Sequence, residues 1–140
     1  RRIENDTIVE YDHCIASCTI LKEDDTYGYL NIDCDQPFED YLREGKARIE
    51  DARKAGNIED DENVSSLFFL SSVPWVTYTS LVQAVPIPAD SNPRITWGKY
   101  FEQDGKILIP VSVLVHHALV DGFQISQFYK KLEGLLTSTK

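Results

Sequence analysis

The sequence predicts an α/β fold of two layers, with helices packed on one sheet, and three observations carry that prediction. Residues 7–32 hold short strand-like runs, residues 37–56 switch to a helical period, and residues 67–117 return to strand-like runs before a second helical face begins after Gly122. No internal repeat, low-complexity tract or linker divides these stretches. With 140 residues, 42% hydrophobic and 11% aromatic, the chain can bury one ordinary core and not two, so residues 1–140 are expected to form a single domain.

Taken in order, residues 7–11 and 17–21 read as short strands, and TYGYLNI, 26–32, as a third strand or a loop. In DQPFEDYLREGKARIEDARKAG, Phe38, Tyr41, Leu42, Ile49 and Ala52 fall on one helical face. Asp35 is the candidate cap, Pro37 lies in the first turn, Gly45 weakens the helix and Gly56 ends it. NIEDDEN is expected to be a solvated loop, because its carboxylates lack the spacing of an EF-hand. SLFFLSS and the aromatic, β-branched PWVTYTSLVQAV predict sheet, and PIPADSNPR, with three prolines, predicts a loop. RITWGKYFEQ and KILIPVSVLVHH flank Asp104 and Gly105, which makes a two-residue hairpin turn the strongest local signal. In the last helix Ile125, Phe128, Tyr129, Leu132, Leu135 and Leu136 recur at the spacing of a face meant for a sheet.

Composition excludes several functions. A net charge of -9 leaves no basic face for a phosphate backbone, so nucleic acid is not an expected partner. No apolar run approaches the length of a membrane span, and no basic-then-apolar leader opens the chain, so a soluble, cytoplasmic protein is expected. Cys14, Cys18 and Cys34 are an odd count, and a zinc reading of His13, Cys14 and Cys18 gives way to ordinary half-buried thiols; no metal is expected. The absence of methionine, and a strand-like pattern from the outset, suggest that residue 1 is not the natural start.

VLVHHALVDGF, residues 113–123, is the stretch with the most chemistry. If the strand keeps its period, His116 and His117 point to opposite faces, His117 with Val111, Val113 and Val115, and His116 with Ser112 and Leu114. They are then poorly placed to share a metal. An imidazole at a strand end can reach a substrate while its stem stays packed, and its ordinary pKa of about 6.5 suits proton removal near neutrality. Spacing alone favours a structural role, with both rings bonded to carbonyls and Asp121 and Gly122 serving as helix punctuation.

What changes the balance is a resemblance. HHALVDGF resembles the HHxxxDG signature of the chloramphenicol acetyltransferases and the wider coenzyme A dependent acyltransferases. FFLSSVPWVTYTSL and TWGKYF are similar to segments of the chloramphenicol branch in order and nearly in spacing, and RIEN and the helix from Pro37 also fit. Lipoyl acyltransferases usually show DHRxxDG instead. The resemblance implies a mixed, largely antiparallel sheet with helices packed on it, of which residues 1–140 form the carboxy-terminal two-thirds.

It also implies roles. His117 is the general base acting on an acceptor hydroxyl, Ser71 the donor to the oxyanion, and Thr96 an assistant through bound water. Asp121 holds the histidine loop by pairing with an arginine from the missing amino-terminal part, and the histidine's own backbone carbonyl holds its tautomer. Tyr100 lies near coenzyme A, while Tyr27 and Leu81 belong to the acceptor pocket. Acetyl-CoA is the implied donor, chloramphenicol or a similar small alcohol the acceptor, and a homotrimer with interfacial sites the assembly. NIEDDENVSS, Leu81 and Gln83 stand where larger or more apolar residues are common in the family, so a different alcohol, amine or thiol is the alternative acceptor. A non-catalytic truncated relative is the other alternative, and the 140-residue chain alone is expected to be poorly folded or inactive.

Overall fold

The computed structural model describes residues 1–54 and 66–138. NIEDDEN and Gly56 lie outside the described residues. A hairpin opens the chain, β1 (Arg2–Glu4) paired with β2 (Thr7–Val9) across Asn5 and Asp6, both at positive φ. The hairpin is tied to the rest by Ile3, whose N–H donates to Ser91 Oγ at 2.8 Å. The sequence reading found β2 and missed β1.

The main sheet has five strands in the order β4 (Tyr27–Asp33), β3 (Ile15–Leu21), β5 (Leu67–Val73), β6 (Arg94–Gly98), β9 (Val111–Leu114). TYGYLNI is therefore a strand, paired antiparallel with β3. β5 runs parallel to both neighbours, β3 and β6, while β6 and β9 are antiparallel. With β1–β2 and β7–β8, four of the six strand pairings among the described residues are antiparallel.

Register partners share a face of the sheet, so Cys18, Leu70, Ile95 and Val113 form a row on one side, and Ser17, Phe69, Arg94 and Leu114 a row on the other. Both helices cover the first side. α1 (Phe38–Lys54) packs on β3 and β4, where Ile20, Leu30, Ile32 and Ala52 are buried and Cys18, Tyr41 and Ile49 lie against them. Phe38 and Leu42, assigned to that face from the sequence, are exposed, and Gly45 takes the central place instead. A Cβ at Gly45 would lie 3.4 Å from Ile32 Cδ1, so the glycine lets the helix approach the strand. Asp35 does not cap α1: it accepts from His13 Nδ1 at 2.9 Å, and the Pro37 carbonyl receives the first helical bond, from Tyr41 N. Cys18 and Cys34 are half-buried as expected and Cys14 is exposed; burial raises the Cys18 and Cys34 thiols above their ordinary pKa, which makes them poor nucleophiles.

α2 (Gly122–Ser138) lies over the same side with Phe128, Leu132 and Leu136 facing Ile95, Trp97 and Val111. Tyr129 Oη donates to the Val111 carbonyl at 3.0 Å. An apolar cavity of about 400 Å³ remains between helix and sheet, and no residue of α2 is fully buried.

The expected hairpin forms at Asp104 (φ 53) and Gly105 (φ 72), joining β7 (Phe101–Gln103) to β8 (Lys106–Leu108). Each long run is broken in two, however, because Pro110 has no N–H to give the ladder and Lys99 N donates to Val76 O at 2.9 Å instead. PWVTYTSLVQAV is not sheet. β5 and β6 are parallel, so residues 74–93 must return across one face, and part of this crossover lies over the face without helices. Tyr78 anchors it by donating to the Thr96 carbonyl at 2.8 Å. A Cβ at Gly98 would stand 2.8 Å from both the Tyr78 ring and Val76 O. Gly98→Ala is therefore expected to cost about 1–3 kcal/mol in stability by overpacking, measured by urea denaturation. An unchanged midpoint would show that the crossover yields freely.

Candidate active site

The face opposite the helices carries the polar residues of the central strands. Ser71 on β5 and Thr96 on β6 are register partners, which places their side chains on adjacent strands about 4.8 Å apart and on one face. Thr96 is buried and Ser71 half-buried. Both line a cavity of about 710 Å³, within the size range of small-molecule sites. Leu81 of the crossover lines it too, as do Tyr29, Gln83 and Arg94. Gln83 Nε2 donates to the carbonyls of Arg94 at 3.2 Å and Ser112 at 3.3 Å, which fixes the crossover against β6 and β9.

Tyr27 is not in this lining. It stands 65% exposed on edge strand β4, its ring edge-on to Tyr29 at 5.8 Å, and Tyr29 is the tyrosine that reaches the cavity. Tyr100 is exposed in the break between β6 and β7, outside the same lining.

The histidines lie beyond the strand. β9 stops at Leu114, so the alternation expected to carry His116 and His117 to opposite faces ends before reaching them, and both are exposed in a turn. They differ in hydrogen bonding. His117 Nδ1 is 3.2 Å from the Val120 carbonyl, which can only accept, so Nδ1 carries the proton and neutral His117 has its lone pair on Nε2. The carbonyl belongs to Val120, not to His117 itself. His116 Nδ1 accepts from Ala118 N at 3.2 Å, so in its neutral form the proton is on Nε2. His116 lines a separate cavity of about 500 Å³ with Arg2, Glu4, Pro88 and Ser91.

Asp121 caps α2. Its Oδ1 accepts from Phe123 N at 2.9 Å and Gln124 N at 3.3 Å, while Asp121 N donates to Gln124 Oε1 at 3.0 Å. This reciprocal capping box holds the end of the histidine turn. Asp121→Ala is expected to lose about 0.5–2 kcal/mol, and Asp121→Asn, which keeps a capping oxygen, much less. Equal losses in thermal unfolding would point to the charge rather than the cap.

The structure thus brings Ser71, Thr96 and Leu81 together and leaves Tyr27, Tyr100, His117 and Asp121 outside their cavity. Sequence reasoning missed Tyr29, Arg94 and Asp90 in the lining and Gln124 in the cap. Only Gln124 had a local signal, the D-x-x-Q spacing before an apolar helical run.

A family model described as chloramphenicol acetyltransferase matches residues 2–133. A chloramphenicol acetyltransferase of Clostridium perfringens is 33% identical over 134 residues, covering 91% of this chain and 63% of the relative. One from Clostridioides difficile is 32% identical over 136 residues, with coverages of 93% and 63%. This chain therefore spans somewhat less than two thirds of these curated relatives. Among solved structures, a chloramphenicol acetyltransferase aligns with a TM-score of 0.78 at 24% identity, over 95% of this chain and 66% of that one. An Azotobacter vinelandii dihydrolipoamide acetyltransferase aligns at 0.74 with 19% identity, over 98% and 60%, which extends the likeness of fold to that group. On the family match and the relatives together, this chain belongs to the chloramphenicol acetyltransferase family.

Proposed function

We propose that the natural protein carrying this chain transfers the acetyl group of acetyl-CoA to a hydroxyl of chloramphenicol, inactivating the antibiotic. The observation that carries this reading is the pairing of Ser71 with Thr96 in the wall of one cavity, in a member of this family. His117 Nε2 takes the proton of the acceptor hydroxyl as its oxygen attacks the thioester carbonyl. The Ser71 hydroxyl donates to the oxyanion that forms there, and Thr96 assists through a bound water. Collapse expels the coenzyme A thiolate, which recovers the proton from His117. No acetyl-enzyme and no metal take part.

Asp121 holds the turn that presents His117, and an arginine partner for its carboxylate belongs to the remaining third of the family's length. Leu81 touches the acceptor, with Tyr27 at the margin behind Tyr29, and Tyr100 meets coenzyme A. His117 lies outside the Ser71 cavity, which supports a site completed between subunits, His117 of one copy serving Ser71 of the next in a homotrimer. We place the protein in the cytoplasm; among the described residues no helix is long and apolar enough to cross a membrane. The test is thiol release from acetyl-CoA by the natural protein, with and without chloramphenicol. Chloramphenicol-dependent release is the expected result, and release that ignores it, or none, removes the acceptor assignment.

A further inference from the structure

The cavity beside Ser71 contains a charged pair that acyl transfer does not itself require. Arg94 precedes Thr96 by two residues on β6, so the two side chains share a face. The Arg94 side chain is only 13% exposed and that of Asp90 22%. Arg94 Nη1 donates to Asp90 Oδ1 at 2.6 Å and to the Asn92 carbonyl at 3.1 Å, and Nη2 donates to Asp90 Oδ2 at 2.7 Å. Its guanidinium carbon also lies 4.9 Å from the ring centroid of Phe69, its register partner on β5. Held this way, the planar fork is part of the wall and not a mobile surface group. The hydrogen bonds from Arg94 hold the Asp90 carboxyl below its ordinary pKa, against the upward push of burial.

The pair still has hydrogen-bonding capacity. A guanidinium has five N–H donors, and these bonds use three of them. Among the described residues, Asp90 Oδ1 accepts from Arg94 and from Asn92 N, whereas Oδ2 accepts from Arg94 alone. We propose that Arg94 is a specificity-determining residue for the acceptor. With Asp90 it offers donor and acceptor positions side by side, which select alcohols carrying a neutral polar group, such as an amide or a second hydroxyl, over hydrocarbon alcohols of similar size. An apolar acceptor strips water from the pair and returns no hydrogen bond, which is a heavy penalty in a half-closed cavity. An anionic acceptor gains little, since Asp90 already neutralises the guanidinium. This inference rests on the acyl-transfer reading and names the acceptor class within it.

The experiment compares kcat/KM for chloramphenicol, which carries an amide and a second hydroxyl, with that for phenylpropanol, which carries neither. The natural protein is compared with the double variant Arg94→Met, Asp90→Asn, which leaves no buried charge unpaired. The ratio of the two kcat/KM values is expected to fall at least about tenfold in the variant, mainly through KM for chloramphenicol, with its kcat held within about threefold. Arg94→Lys, which keeps the charge but loses the fork, serves should the double variant not fold, and its ratio falls in the same direction. A purely structural role predicts equal losses for both alcohols. An unmoved ratio would overturn the assignment of Arg94 while leaving acyl transfer standing, and absence of thiol release from the natural protein with either alcohol would remove both.

Discussion

Replacing His117 by alanine in the natural protein is expected to lower the turnover number for chloramphenicol by about a hundredfold to ten-thousandfold, the usual contribution of a positioned general base. The local geometry sets the tautomer: the Val120 carbonyl takes the Nδ1 proton, so the Nε2 lone pair is available without prior ionisation or rotation of the ring. His116 is the internal control. Its Nδ1 is engaged by Ala118 N, so in the neutral ring Nε2 holds the proton and has no lone pair to act as a base. His116→Ala should therefore cost far less. A loss below about tenfold for His117→Ala would remove the general-base assignment.

The second large effect is expected for Ser71→Ala, a fall of about a hundredfold to a thousandfold in turnover number. The substitution removes one hydroxyl from a strand that β3 pairs as far as Leu70 and β6 pairs at Ser71 itself, so the sheet should be little disturbed. The loss should appear in kcat, because the oxyanion exists only after attack. A change confined to KM would make Ser71 a binding residue.

Much of the architecture was legible because periodicity reports which side of an element is buried. The two helices and most strands came from that signal, and the Asp104–Gly105 turn from the turn residues between two strand-like runs. The failures have particular causes. PWVTYTSLVQAV has the composition of a strand but connects two parallel neighbours, and a crossover must leave the sheet whatever its propensity. Gly45 was read as a defect because its burial depends on how closely α1 approaches Ile32, which the helix sequence does not encode locally. The alternation of His116 and His117 failed because β9 ends at Leu114 and the chain turns.

The site divides similarly. His117, Ser71 and Thr96 were found through motif resemblance, and none stands out by spacing. That Ser71 and Thr96 face each other follows from the register of β5 on β6, between residues 25 apart in sequence. The Arg94–Asp90 clamp depends on the path of a proline-rich loop and left no periodic trace.

His117 and Ser71 are proposed to act together from different copies of the chain. Mixing inactive His117→Ala and Ser71→Ala proteins under conditions that exchange subunits tests it, with chloramphenicol-dependent thiol release as the readout. In a randomly mixed trimer about a quarter of the interfaces pair an intact His117 with an intact Ser71, so roughly a quarter of the natural turnover should return. Activity that stays at the level of the separate variants, with exchange demonstrated, would contradict a shared site.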